Sequence, residues 1–499
     1  MNSESAIGDA QRGGAITFAL ILATVLSTVA STIANVVLPQ IRASTGAAQD
    51  EISWVLTSFI LAGAVVTPAL GWLEQKFGRR VLLLTSIVGF TVAGMLCGLA
   101  TGIIELVVFR LLQGAFGAVF IPMSQAILLD INPPQRHGQA MALWGIGAVL
   151  GPIIGPVLGG WLAENLTWRW VFFINVPLAT VAFFMVAASL PKHEEGDLHK
   201  FDAFGFVALA LGLIGLQLML DRGPRQEWFA SSEIWIEFGL GVLGFYLFIV
   251  HTFTAKRAIF DRSIWMDRNF LTASVMIFFI GMLMFAGMAV LPTLLQSLLG
   301  YPVLHSGVVQ LPRGVGTLAS MVIVGRLIGR VDSRLIVLVG LALTGWSYAE
   351  MSRFSLQMNE TPVLLSGLMQ GLGLGLIFVP MSALAFTTVA PLLRTQAASL
   401  FTLIRNVGSS IGISFVGALQ IYNTKIVQSQ LVEHVTPDSQ IAAASIDFGN
   451  VRALAGLMQG IARQAAMVAY VDAFHLLFWM CVALAPLVLV MRTKRIVAR

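Results

Sequence analysis

Charge is scarce in this chain. Lys, Arg, Asp and Glu together make up 11% of its 499 residues, less than half the roughly 25% of an ordinary soluble domain. That shortage excludes a freely soluble enzyme and a nucleic-acid binder. Cysteine is nearly missing as well. Cys97 and Cys481 are the only two, each inside an apolar run, so a secreted disulfide scaffold is excluded. Neither a Gly-x-x-x-x-Gly-Lys-Ser/Thr phosphate loop nor a His-Glu-x-x-His metal motif occurs, so ATP hydrolysis and metalloprotease chemistry have no residues to carry them. No enzymatic activity, metal or organic cofactor is expected.

What the chain has in abundance is apolar residues, 57% of the total. A membrane span needs about 20 of them in succession. Fourteen such runs follow one another between residues 15 and 491, which predicts an all-α, polytopic membrane protein. The first run is too long for the apolar core of a cleaved signal peptide, and more spans follow it. Most connections are short. Two are longer: a charged linker at 191–200 (PKHEEGDLHK) and a polar stretch of 48 residues at 422–469. Lys and Arg set the orientation. Eighteen fall on the side of the N-terminus and eight on the other, so both termini are expected in the cytoplasm, and an even number of spans fits that.

The chain also repeats itself. Gly71-Trp-Leu-Glu-Gln-Lys-Phe-Gly78-Arg79-Arg80 after the second span is echoed by Gly325-Arg-Leu-Ile-Gly-Arg-Val-Asp-Ser-Arg334 after the tenth, an offset of 254. Gln113-Gly114 and Phe120-Ile-Pro-Met123-Ser in the fourth span return as Gln370-Gly371 and Phe378-Val-Pro-Met381-Ser, offset by 257 to 258, and Pro133 and Arg136 return as Pro391 and Arg394. Three matches in order at nearly one offset predict two six-helix bundles, 1–190 and 270–499, with a linker and two inserted spans at 191–269. The second bundle includes 422–469, expected as an outer, periplasmic loop. Paired halves around a mid-membrane site are the plan of an alternating-access transporter.

At these residues the sequence resembles the major facilitator superfamily, and in it the fourteen-helix drug:proton antiporter branch. The segment 71–80 resembles the superfamily's loop motif. Arg110-Leu-Leu-Gln113-Gly114 resembles its fourth-span arginine motif. Gly147-Ala-Val-Leu-Gly151-Pro152-Ile-Ile-Gly155-Pro156-Val-Leu-Gly159-Gly160 resembles the fifth-span antiporter signature. Trp168-Arg-Trp-Val-Phe-Phe-Ile-Asn175-Val-Pro177 and Leu220-Asp221-Arg222-Gly223 resemble the inner-membrane subunit of Emr-type tripartite efflux pumps. The resemblance implies a bacterial inner-membrane exporter of hydrophobic or amphipathic drugs, driven by the proton gradient. It also implies a periplasmic membrane-fusion adaptor and an outer-membrane channel as partners, and no nucleic acid.

Site expectations follow from both sources. Arg110 lies about one and a half turns inside the fourth span, where an unpaired guanidinium is costly. It is either a snorkelling interfacial charge or part of the proton path. Arg405 raises the same question in the thirteenth span, and Arg313, between Pro312 and Gly314, could line irregular backbone. Where the family's first span carries an aspartate, this chain has Ala30. A proton carrier must then be sought elsewhere, Glu105 first, with Asp221, Glu237, Glu350 and Asp472 the other carboxylates near membrane depth. An uncoupled facilitator, or a ligand-binding scaffold without transport, are the alternatives. Gly147, Gly151, Gly155 and Gly159 share one helix face with Pro152 and Pro156 beside them, which suits close packing or a pliable gate. Gly71, Gly78, Arg79 and Arg80 are expected to form a cytoplasmic latch with Asp130. The resemblance places a substrate cavity among Asn35, Gln113, Phe120, Met123, Gln125, Met284, Gln296, Gln370, Phe378 and Met381. The loop 422–469 is either a cap over the outer mouth or a docking surface for the adaptor.

Overall fold

The computed structural model describes residues 3–47, 51–133, 136–191, 200–224, 226–255, 258–328, 330–433 and 451–490. Apolar runs without charge offer the backbone no water to bond in a bilayer, so each run satisfies its amides within its own helix. Accordingly the described residues are helical nearly throughout, and their one β-type contact is an isolated bridge between Ile328 and Val331. In chain order the main helices are α1 (Ser3–Val36), α2 (Trp54–Val66), α3 (Leu70–Leu99), α4 (Ile103–Gly117), α5 (Phe120–Ile131), α6 (His137–Asn165), α7 (Asn175–Ser189) and α8 (Ala203–Arg222). They continue as α9 (Ser232–Thr254), α10 (Arg268–Thr293), α11 (Val303–Val309), α12 (Leu311–Leu327), α13 (Ser333–Met351), α14 (Thr361–Phe386), α15 (Arg394–Glu433) and α16 (Val451–Val490).

Twelve stretches of the described residues are long and apolar enough to cross a membrane. One of them, Trp54–Leu99, has 46 residues, about 69 Å of helix and too long for one crossing. It turns back at Gly78, whose φ of 76° and ψ of 157° break the helix; an L side chain is strained at that φ. The nineteen-residue α13 fills the place of a further span. The architecture is therefore consistent with fourteen crossings.

The stretch 422–469 is not the loop expected from its polarity. Residues up to Glu433 continue α15, and α16 is already helical from Val451; residues 434–450 lie outside the described part, as do the linker residues 192–199 and the basic tail 491–499. At 40 residues each, α15 and α16 are about 60 Å long, roughly twice the apolar thickness of a bilayer. They pack against each other. Asn423 donates to Asp472 at 3.1 Å, and Arg463 donates to the Leu298 carbonyl at 3.0 Å.

Small residues set the packing. A β-carbon added at Gly147, Gly151, Gly155 or Gly159 would lie within 3 Å of Ile21, Thr28, Thr32 or Ile33, so α6 meets α1 backbone to backbone. Thr32 ties the pair by donating to the Gly151 carbonyl at 3.1 Å. The inserted α8 and α9 close on each other in the same way, through Gly212, Gly215, Gly241 and Gly244. α8 rests on α2 of one bundle and α15 of the other, covering the seam between them. Across that seam, α6 packs on α12 and α14, and α15 packs on α5 and on Thr67–Ala69.

Candidate functional site

The site is built around three arginines held within the apolar spans. Arg110 comes from the second turn of α4 and is 1% exposed. Its Nε donates to the Val55 carbonyl at 2.9 Å, and its Nη1 to Gln113 Oε1 at 2.8 Å and to the Ala30 carbonyl at 3.4 Å. The guanidinium lies over the Phe59 ring at 4.3 Å, a cation–π contact that strengthens when water is excluded. All its partners are thus neutral.

The second bundle repeats this arrangement with the helices exchanged. A β-carbon at Gly114 would meet the Phe59 carbonyl oxygen at 2.1 Å, and one at Gly371 would meet the Arg313 carbonyl oxygen at 1.9 Å. The glycines are 257 residues apart and their partners 254, so the same helix crossing is built twice. In the first bundle the guanidinium sits on the glycine's helix; in the second it sits on the partner helix, α12. Arg313 donates to the Met284 carbonyl at 3.3 Å, and Met284 is 254 residues after Ala30. Arg405 stands apart, half-buried in α15. It lies 5.9 Å from the Phe378 ring, its Nη2 reaches Asn406 Oδ1 at 3.4 Å, and its buried Nε has no partner among the described residues. Phe378 stacks in turn on Trp144 of the other bundle, ring centroids 5.9 Å apart, and the indole N–H donates to Thr24 at 3.0 Å.

Glu105, the first candidate for a proton carrier, does not reach Arg110. Glu105 starts α4, is exposed, and accepts from the Thr101 amide and hydroxyl at 3.0 Å each. Five residues along a helix is 140° around it, outside the three- and four-residue spacings that let side chains meet. Among the other carboxylates, Glu237 pairs with Arg222 at 2.6 Å, Glu350 with Arg353 at 3.1 Å, and Asp472 accepts from Asn423. Among the described residues no ion pair reaches Arg110, Arg313 or Arg405.

The residues expected to line a cavity are dispersed. Gln113, Phe120, Met123, Gln125, Gln370 and Met381 are each at most 1% exposed and belong to the packed interior of this state. Met284 and Phe378 are half-buried, while Asn35 and Gln296 are exposed. The bundles touch towards both ends. At one end, a β-carbon added at Gly160, Gly307 or Gly314 would meet Leu304, Pro156 or Ile153; at the other, one added at Gly138 or Gly71 would meet Ile328 or Gln396.

That second end carries an ion cluster centred on Asp130, the last acidic group of α5. Arg79 Nη2 reaches Asp130 Oδ2 at 2.5 Å, and Arg394 Nη1 reaches Oδ1 at 2.5 Å and the Leu129 carbonyl at 3.1 Å. Arg79 and Asp130 were both legible as a pair. Arg394, which brings in the other bundle, was not, although its repeat match to Arg136 marked the position. Glu74 was missed too: it holds Arg79 Nε. Arg80 forms no ion pair among the described residues. No cluster of His, Cys, Asp and Glu among the described residues could hold a metal.

Residues 20–413 match the family described as the Major Facilitator Superfamily. The chain belongs to that superfamily. Relatives at the sequence level include the multidrug export protein EmrB of Haemophilus influenzae, 32% identical over 86% of each chain. The multidrug export protein EmrB of Escherichia coli is 31% identical over 86% of this chain and 84% of its own. The fatty acid resistance protein FarB of Neisseria gonorrhoeae is 33% identical over 81% of this chain and 80% of its own. In fold, this superfamily member is similar to the human organic anion transporter MFSD10, with a TM-score of 0.61 at 16% identity over 94% of this chain and 99% of that one. The proton:xylose symporter XylE gives 0.61 at 13%, covering 96% and 97%. It is a multi-pass membrane protein.

Proposed function

We propose that the protein exports hydrophobic or amphipathic drugs and other toxic organic compounds by alternating access, driven by inward proton flow. The observation that carries the reading is the seam. Two bundles of repeated sequence meet along α6 and α15, touch towards both ends, and are tied at one end by the Asp130 cluster, which opening must break. The names of the sequence relatives, multidrug export and fatty acid resistance, support the choice of cargo. The excess of Lys and Arg on one side supports a cytoplasmic latch face and cytoplasmic termini, and the bacterial sequence relatives support an inner membrane. The projecting ends of α15 and α16, with Tyr422 and Met458 exposed on them, are the proposed seat of a periplasmic adaptor that leads to an outer-membrane channel.

Proton coupling rests on Arg110, whose Nη1 faces the Ala30 carbonyl, the place of the family's aspartate. An uncoupled facilitator is the second reading, favoured by that same alanine and by the neutral partners of Arg110. Flux of a dye or drug in proteoliposomes, with and without an imposed pH gradient, decides between them. Uphill flux in the native chain supports coupling through another group. Uphill flux only in Ala30→Asp makes the native chain a facilitator. Downhill flux absent from both, with ligand still bound, removes transport altogether.

A further inference from the structure

The charge inside the spans is one-sided. Arg110, Arg313 and Arg405 have backbone carbonyls and side-chain amides as acceptors, and no carboxylate pairs with any of them among the described residues. Neutral acceptors replace lost hydration but leave the formal charge standing, and a guanidinium in such surroundings strongly favours an anion. Arg110 and Arg313 occupy matching places inside their own bundles, each used within a helix crossing. Arg405 differs. It is eleven residues into α15, about 16 Å from that helix's start and so near the middle of a bilayer. It also lies where the bundles meet, over Phe378, which stacks on Trp144. A ligand lying there touches both bundles at once. Trp144 and Met321, the latter reaching Gly145 across the seam, are buried in this closed state, so with Phe378 they face a ligand's apolar body only as the seam opens.

We propose that the cargo is an amphipathic organic anion, its negative group bound by Arg405 and its body laid against Trp144, Phe378 and Met321. The inference rests on the exporter reading and names the ligand class of that site. A bound anion neutralises Arg405 once the seam has opened enough to admit it, whereas a cation is repelled there. The chain therefore selects by sign of charge as well as by hydrophobicity.

The test uses the full chain in nanodiscs of zwitterionic lipid with three probes of one tail length: decyl sulfonate, decanol and decyltrimethylammonium. Binding is read as stabilisation against heat, corrected for each probe's partition into empty nanodiscs. Decyl sulfonate is expected to bind at least tenfold more tightly than the other two. Arg405→Gln is expected to erase that preference and Arg405→Lys to keep part of it. Tighter binding of the ammonium probe, or an unchanged sulfonate preference in Arg405→Gln, overturns the inference. If Arg405→Gln does not fold, the ranking of the three probes on the native chain still decides. Acidic phospholipid added as competitor separates a lipid headgroup from a free anion, and displacement of the sulfonate by lipid overturns the cargo assignment. Flux of the same probes in proteoliposomes keeps the two readings apart. Sulfonate-selective binding without flux sinks the exporter reading alone, and flux without charge preference sinks this one alone.

Discussion

The two copies of the loop motif have been put to different uses. In the first, Arg79 joins an ion cluster with Glu74, Asp130 and, from the other bundle, Arg394. In the second, Asp332 accepts from the Arg334 amide at 3.0 Å and caps α13, and no ion pair joins Gly325–Arg334 to another element among the described residues. The guanidiniums within the spans diverge in the same manner, Arg110 on one helix of its crossing and Arg313 on the other helix of the matching crossing. Duplication kept the backbone seams, where Gly114 and Gly371 admit no side chain, and let the charges move. Geometry is therefore symmetric in this molecule and electrostatics is not.

The sharpest way to break that comparison is at the guanidiniums. Arg110→Ala is expected to lower gradient-driven flux roughly 100-fold while the protein still inserts and elutes as a folded species. Phe59→Arg combined with Arg110→Gly gives the first bundle the second bundle's arrangement, and measurable recovery of flux is expected. No recovery would show that the two places are not interchangeable. Next in size are the seams. Gly114→Ala and Gly371→Ala should each cost about 1–3 kcal/mol through overpacking, read as a lower Tm, whereas Gly417→Ala, with open space around it, should be silent. Clearly unequal losses at the two glycines would end the claim of matched crossings.

Smaller effects separate the loops. Asp130→Asn removes both ion pairs that Asp130 makes in the cluster. Because the carboxylate and its partners are partly exposed, about 1–2 kcal/mol is expected rather than the 3–5 of a fully buried pair, a shift of roughly 5- to 30-fold towards the form open on that face. Alkylation of a cysteine placed at Ser399, fully buried on α15 five residues beyond the cluster's Arg394, by a hydrophilic maleimide reads that shift. Asp332→Asn should move it less than twofold. Smallest is Glu74→Gln, which leaves Asp130 in place and should shift alkylation by less than about fivefold; an effect equal to that of Asp130→Asn would move the centre of the latch to Glu74.

Hydropathy made the spans legible, because burial in lipid is what it measures. It failed at 422–469 for the same reason. Lys425, Glu433, Arg452 and Arg463 mark chain outside the bilayer, but helices persist there on intrinsic propensity and mutual packing, to which hydropathy is blind. The loop motif marked Arg79 and Asp130 as a pair, which the structure makes, but gave no sign that Gly78 breaks the helix. Arg394 needed three dimensions, since residues 264 apart meet only after two bundles dock. Glu105's distance from Arg110 was legible too: at five residues' spacing, helical periodicity points it away. Cavity residues were the least legible. Gln113 and Gln370 look like lining in a sequence, and only packing shows that Gln113 serves Arg110 instead.

α15 begins at Arg394, in the ion cluster, passes Arg405 at the seam, and ends at Glu433 without an internal proline. Such a helix behaves as a stiff rod of about 60 Å. A tilt of about 5° at its base would sweep the far tip through roughly 5 Å, so whatever is seated outside the membrane can feel, mechanically, whether the inside is locked.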